Sequence, residues 1–204
     1  MIIRNALCLV LLSALPASAQ SLSAADILAQ VDQKVSGLNE YQQLLNDPDP
    51  ARSMAAMEIM LGSGDAALER MALDYGLYSP NPVVRRAALD AFFSTQPTLG
   101  IYLTQTEGDE NRYWAKKAEE GRGSVLEDGR IFFSIQVGKF DDAQNCYSRI
   151  ENTECRVRVS DTDVGITIWG QWHALKLNDQ GELVGSGSFP FSSKPVKTVI
   201  QVGN

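Results

Sequence analysis

Few side chains in this sequence are equipped for chemistry: one histidine, three cysteines and a scatter of carboxylates. His173 has the one ordinary pKa suited to proton transfer near neutral pH. No Gly-x-Ser-x-Gly elbow and no cysteine nucleophile accompanies it, so the residues of a triad are lacking. A hydrolase would have to pair it with Asp141, Asp161 or Asp163, which stand at no recognised catalytic spacing. A histidine held inside a strand is the simpler reading. Asp161-Thr162-Asp163 and Asp141-Asp142 offer oxygen ligands for Ca2+, but without EF-hand spacing, and turn capping accounts for them more simply. One His and three Cys exclude a three-histidine or four-cysteine metal site within the chain. The expectation is a protein with no catalytic residue, no metal and no cofactor, and not an enzyme.

The cysteines depend on the first segment of the chain. Arg4, the apolar run Ala6–Leu15, the break at Pro16 and the small residues Ala17-Ser18-Ala19 form a secretory signal-peptide pattern over residues 1–19. Ten apolar residues fall short of the ~20 needed to span a bilayer, so no stable membrane anchor is expected after cleavage. Cleavage removes Cys8 and Arg4 and shifts the net charge from -7 to -8. Cys146 and Cys155, nine positions apart in an oxidising periplasmic or secreted setting, are then expected to form a disulfide. The acidic balance argues against a nucleic-acid partner.

Two periodicities organise the 204 residues. Ile27, Val31, Leu38, Tyr41 and Leu45 recur at helical steps, with Ser23 and Asp26 as an N-cap pair and Gly37 as a place to split the run in two. Pro48-Asp49-Pro50-Ala51-Arg52-Ser53-Met54-Ala55-Ala56-Met57-Glu58 then returns 32 residues later as Pro80-Asn81-Pro82-Val83-Val84-Arg85-Arg86-Ala87-Ala88-Leu89-Asp90. The proline after each Asx sits where a first-turn N–H would be unpaired anyway. Each copy is expected to continue into a second helix, Asp65 to Leu77 and Pro97 to about Thr104. A degenerate third copy begins at Asn111, and Trp114 and Ala118 share one helix side.

The segment Asn81-Pro82-Val83-Val84-Arg85-Arg86-Ala87-Ala88-Leu89 resembles a HEAT or HEAT-like repeat, with Gly64-Asp65-Ala66-Ala67-Leu68-Glu69-Arg70-Met71 similar to the partner helix. The resemblance covers roughly residues 45–103. It implies stacked helices that bind another protein, with Arg85, Arg86 and Tyr78 as contact residues.

Beyond a joint at residues 121–129 the period becomes two. Ile131, Phe133, Ile135 and Val137 alternate with polar or smaller neighbours, as do Val157 and Val159, Val164, Ile166 and Ile168, and Val196 to Val202. Asn178-Asp179-Gln180-Gly181 reads as a hairpin turn. Gly185 and Gly187 leave room on one face that suits a neighbour's tryptophan. Gly170-Gln171 is read as a bulge that decides which faces Trp169 and Trp172 occupy. These two, with Tyr147, Phe189 and Phe191, are either core or a platform for a sugar or peptide.

The fold expected is therefore α+β: a helical HEAT-like repeat domain over residues 20–120, a linker at 121–129, and a disulfide-stapled antiparallel β-sandwich or barrel over 130–204. The function expected is an exported, non-enzymatic interaction or scaffold protein whose partner is another envelope protein. The alternative is a glycan- or peptide-binding β module centred on Trp169 and Trp172.

Overall fold

The computed structural model describes residues 23–107, 113–160 and 163–202. The signal-peptide segment, Asp161-Thr162 and the Asn111 start of the third repeat lie outside those residues. The chain forms two compact units, Met1–Glu40 and Tyr41–Asn204.

Helix α1 spans Ala24–Leu45 without a break, so Gly37 does not split it. Its start is a reciprocal capping box. The Asp26 N–H donates to Ser23 Oγ and the Ser23 N–H donates to Asp26 Oδ2, both at 3.1 Å.

In the second unit, helices α2 (Pro50–Leu61), α3 (Ala66–Leu77) and α4 (Pro82–Ser94) begin sixteen residues apart. One local device starts all three. Side-chain oxygens of Asp47, Ser63 and Ser79 accept the N–H of Asp49, Asp65 and Asn81 at 2.9, 3.1 and 3.2 Å. Those three caps in turn accept the N–H of Ala51, Ala67 and Val83 at 2.9, 2.8 and 2.9 Å. Each device satisfies donors that the helix start would leave unpaired. α2 packs on α3 and α3 on α4. At the α3–α4 crossing Gly76 leaves no room for a methyl group against Ala88 Cβ and Met57 Sδ.

A fourth cap would fall at residue 97. Proline stands there, with no side-chain acceptor to cap a helix, and Thr98-Leu99-Gly100-Ile101-Tyr102-Leu103-Thr104 alternates buried and less buried positions. The helix expected over 97–104 is instead strand β1 (Thr98–Thr104). The second repeat copy thus has a strand where the first has its partner helix.

β1 completes a closed antiparallel barrel of eight strands. The others are β3 (Ile131–Asp141), β4 (Cys146–Arg149), β5 (Cys155–Val159), β6 (Val164–Ile168), β7 (Gln171–Leu177), β8 (Glu182–Gly187) and β9 (Val196–Gln201). Each of β3 to β8 pairs with the next, and β1 pairs with both β9 and β3. Between β1 and β3 lie α5 (Tyr113–Glu120) and the two-residue strand β2 (Ser124–Val125), which pairs beside β3. Trp114 and Ala118 are buried on α5, on one side as the spacing requires. The architecture is mixed α+β, and the β half is a barrel rather than a sandwich.

Closure gives the barrel no free edge, and eight strands leave a bore that side chains can fill. The register shows the filling. Val159, Val164, Leu175, Gly185, Thr198, Leu103 and Ile131 lie opposite one another around the wall. Apart from the glycine, all of them are buried. The Cys146–Cys155 disulfide, with 5.7 Å between its Cα atoms, ties β4 to β5. It links residues that are not directly opposite, because Ser148 faces Cys155 beyond an irregularity in the pairing.

Candidate functional site

Two tyrosines join the helices to the barrel. Tyr147, at the start of β4, donates its hydroxyl to the Asp90 carbonyl at 2.8 Å and packs on Phe93 of α4 with ring centroids 5.6 Å apart. Burial first, and the Asp90 carboxylate second, push its phenol up to about 12, so it stays a donor. Tyr78 ends α3 and donates its hydroxyl to the Gln180 carbonyl at 3.3 Å.

The Gln180 carbonyl is presented by the expected hairpin turn. Asn178 Oδ1 accepts the N–H of Gln180 and of Glu182, both at 2.9 Å. Gly181 turns at φ 73°, and a Cβ there would come within 2.8 Å of the Tyr78 hydroxyl. Glycine is required for both the dihedral and the approach.

Between this hairpin and the α3–α4 turn runs a groove of two adjoining cavities, about 420 and 210 Å3. Arg85 and Leu177 line both. Arg85 donates from Nη1 to the Ser79 carbonyl at 2.6 Å, closing the turn that precedes its own helix. Arg86 and Asp90 sit one helical turn apart, 3.6 Å between charges, and Lys176 and Asp163 face each other at 3.9 Å. The residues expected as contacts therefore lie along one groove: Tyr78 is 56% exposed, Arg85 is half-buried and structural, and Arg86 lines the smaller cavity. The groove offers two guanidinium groups and the exposed Tyr78 ring.

The two indoles separate. Trp169 (φ 47°) and Gly170 (φ 78°) are both left-handed and form the two-residue turn that joins β6 to β7. Such primed turns match strand twist. The bulge expected at Gly170-Gln171 is thus a turn, with Gln171 paired to Ile168 in the ladder. Trp169 stacks on Phe133 at 5.2 Å and touches Phe189 and Phe191 at 5.2 and 6.3 Å, so it belongs to an aromatic plug. Trp172 is 48% exposed. It lies over Gly165, with the Arg158 guanidinium 5.7 Å from its ring centre. The five aromatics do not make one platform: Tyr147 and Phe189 are buried, Trp169 and Phe191 are partly buried against the core, and Trp172 stands apart.

His173 is fully buried. Its Nδ1 meets Thr198 Oγ1 at 2.7 Å, and its Nε2 has no hydrogen-bond partner. Burial pushes its pKa down to about 4, which keeps the ring neutral. The ring occupies the space that a Gly187 side chain would fill, and Gly185 faces the Ala174 carbonyl. The room left by these glycines is taken by histidine and backbone, not by a tryptophan.

Of the carboxylates weighed beside His173, Asp161 lies outside the described residues, and Asp141 and Asp163 have other work. The Gln144 side-chain amide, donating to Asp141 Oδ2 at 2.8 Å, and then the Gln144 and Ala143 N–H groups, donating to Oδ1 at 3.2 and 2.9 Å, hold the Asp141 pKa low. Asp163 faces Lys176. Among the described residues no three His, Cys, Asp or Glu side chains cluster as metal ligands do. Among the described residues, also, no helix is long and apolar enough to cross a membrane.

A concavity of about 650 Å3 lies elsewhere, between the β3–β4 hairpin and residues 150–153. Phe140 and Ile150 line it, 44 and 50% exposed. Beside Ile150 is Arg149, whose Nε is 3.3 Å from Glu154 Oε2 but not aligned to donate. The neighbouring Arg156 is nearly buried, donates to the Thr167 carbonyl at 3.1 Å, and has its pKa lowered by burial and then by Arg149. Sequence reasoning passed over these residues. The Arg156-Val157-Arg158 alternation looked like a strand with a wet face, and only the irregular β4–β5 pairing turns Arg156 inward. Against protein-family models, curated proteins and solved structures, the chain shows no match.

Proposed function

We propose that this chain is an exported, non-enzymatic interaction protein of the cell envelope, periplasmic or secreted. It holds another protein in the groove between the α3–α4 turn and the β7–β8 hairpin. The observation that carries this reading is the groove itself, where an exposed tyrosine and two arginines meet a hairpin tied to the helices by Tyr78. On this reading α2 to α4 are a shortened HEAT-like array whose open end is taken over by the barrel. The test is capture from envelope extract with Tyr78→Ala and Arg86→Glu together, leaving Arg85 and its turn intact. Loss of a partner that the wild type retains, with the variant still unfolding cooperatively well above the capture temperature, supports the reading. Equal recovery of every protein by both forms overturns it.

A second reading rests on Trp172. An indole open on one face beside a guanidinium suits a sugar ring or an extended peptide. Titration with envelope glycan fragments should then quench tryptophan fluorescence in the wild type and not in Trp172→Ala. An identical response of both proteins removes this reading.

A further inference from the structure

We propose that the outer wall of the barrel around Trp172 takes an acidic oligosaccharide, a sugar ring stacked on the indole and the sugar carboxylates held by Arg158 and Lys197. The inference rests on the reading of Trp172 as a ligand surface and supplies the chemistry of the ligand. One row of the ladder carries it. Arg158, Gly165, Ala174, Ser186, Lys197 and Thr104 lie opposite one another across β5, β6, β7, β8, β9 and β1. They stand next to the buried row that fills the bore, so alternation turns them outward. All of them belong to the one unit Tyr41–Asn204. Because Gly165 has no side chain, the Trp172 indole lies over β6, its Cε3 and Cζ3 3.2 Å from where a Cβ would stand. Between the indole and Lys197 the row holds only Ala174 and Ser186, both small and exposed. Arg158 and Lys197 are four strand spacings apart, roughly 19 Å along the wall, a span for several sugar rings and not for one.

Charge selects an acidic occupant. Among the described residues neither Arg158 nor Lys197 pairs with a carboxylate. Yet the chain carries 25 acids against 18 bases. No Asp or Glu stands in this row or in the next outward row, Lys176, Val184, Val199 and Tyr102. Arg158 meets the edge of the indole system and donates once, from Nη2 to Cys155 Sγ at 3.8 Å. The rest of its planar fork is left for a carboxylate. A neutral sugar would use the indole and neither cation. An acidic peptide would use the cations but offers a stacking face only at an aromatic or proline, whereas a saccharide offers one at every unit.

The test is titration of the full chain with a polyuronate oligosaccharide and with a neutral glucan oligosaccharide of the same length, read by tryptophan fluorescence and calorimetry. The wild type should bind the polyuronate at least ~10-fold more tightly than the glucan, and raising the salt from ~0.05 to ~0.5 M should remove most of that preference. Lys197→Gln should weaken polyuronate binding roughly 3- to 10-fold and leave glucan binding unchanged. Ala174→Glu, which sets a like charge under the ligand, should weaken polyuronate binding further. Lys139→Gln, an exposed lysine of β3, should change neither. All three positions are exposed, and unmoved urea unfolding separates a lost contact from a lost fold. Equal affinity for the two saccharides overturns the proposal while leaving Trp172 as a sugar surface, and no quenching by either overturns both. Wild-type affinity in Lys197→Gln, or polyaspartate of equal charge binding as tightly as the polyuronate, also overturns it.

Discussion

In the helical layer, each element is started by residues beside it. Asp49, Asp65 and Asn81 accept N–H groups two positions on, and Ser53 and Arg85 each reach a carbonyl just before their own helix, Leu45 and Ser79, at 2.6 Å. In the barrel the partners are distant. β1 is held by residues 131–136 on one side and 197–200 on the other. The sixteen-residue spacing passes from one regime to the other at Pro97, where a missing cap ends the helices and a strand begins. The same chain thus spends local signals until they fail and then relies on closure. The two regions should fail differently when broken.

Glycines give the largest contrast. A methyl group on Gly185 would overlap the Ala174 carbonyl, which is backbone in the neighbouring strand and cannot turn aside. Gly185→Ala should abolish cooperative folding of the barrel, seen as loss of near-ultraviolet circular dichroism. A methyl group on Gly76 would meet the Ala88 methyl and the flexible Met57 sulfur. Gly76→Ala should cost roughly 1–3 kcal/mol, as overpacking does, and leave one unfolding transition. Equal effects would show that close approach matters no more in the barrel than between helices.

What could be read from the residues follows the same division. The Pro-Asx-Pro starts, the caps, the Asn178–Gly181 turn and the disulfide were legible because each depends on neighbours or on chemistry. The strand at 98–104 was not, because the 32-residue repeat argued for a helix and its ladder partners lie thirty and a hundred residues away. Nor was the closure of the barrel, since alternation looks the same in a sandwich. Tyr78, Arg85 and Arg86 could be picked as surface candidates, but the Gln180 carbonyl that Tyr78 meets depends on the fold. Trp169 and Trp172 looked alike in sequence, and the left-handed turn at Trp169-Gly170 sent them to different places.

His173 supplies the next effect in size. Its pKa falls from 6.5 in the unfolded chain to about 4 in the fold, so between those values the unfolded state binds more protons. Stability from this residue is complete above pH ~6.5 and is lost as pH falls toward ~4, by on the order of 3 kcal/mol. His173→Gln, whose amide can still reach Thr198, should flatten that slope. Asp90 works in the opposite sense, since burial raises its pKa, and it is common to both proteins. Urea unfolding of the two proteins at pH 7, 5.5 and 4.5 checks the difference; parallel curves would sink it.

The disulfide is local in sequence yet sits in the non-local region. It closes a ring over nine residues of separation, for which loop-closure entropy gives about 2–3 kcal/mol. Cys146→Ser with Cys155→Ser should lower the urea midpoint accordingly, with a slope no lower than the wild type's, because the unlinked denatured chain exposes at least as much surface. A lowered slope would mean instead that the hairpin is no longer part of one cooperative unit.

The smallest effects belong to the caps, and their pattern is the finer test of the comparison. Asp65 Oδ1 accepts two N–H groups, from Ala67 and Leu68, whereas Asp49 and Asn81 each accept one, and their helices carry a proline that needs no partner. Replacing a cap by alanine costs about 1 kcal/mol. Asp65→Ala should therefore cost the most of the three, and Asp49→Ala and Asn81→Ala should match each other, as equivalent residues of the two repeat copies. If the helical layer is held by independent local devices, the three losses should add in the triple variant, because their sites share no partner. A triple loss well above the sum would show instead that α2, α3 and α4 start as a single cooperative stack, with the barrel behind α4 already enforcing the last of them.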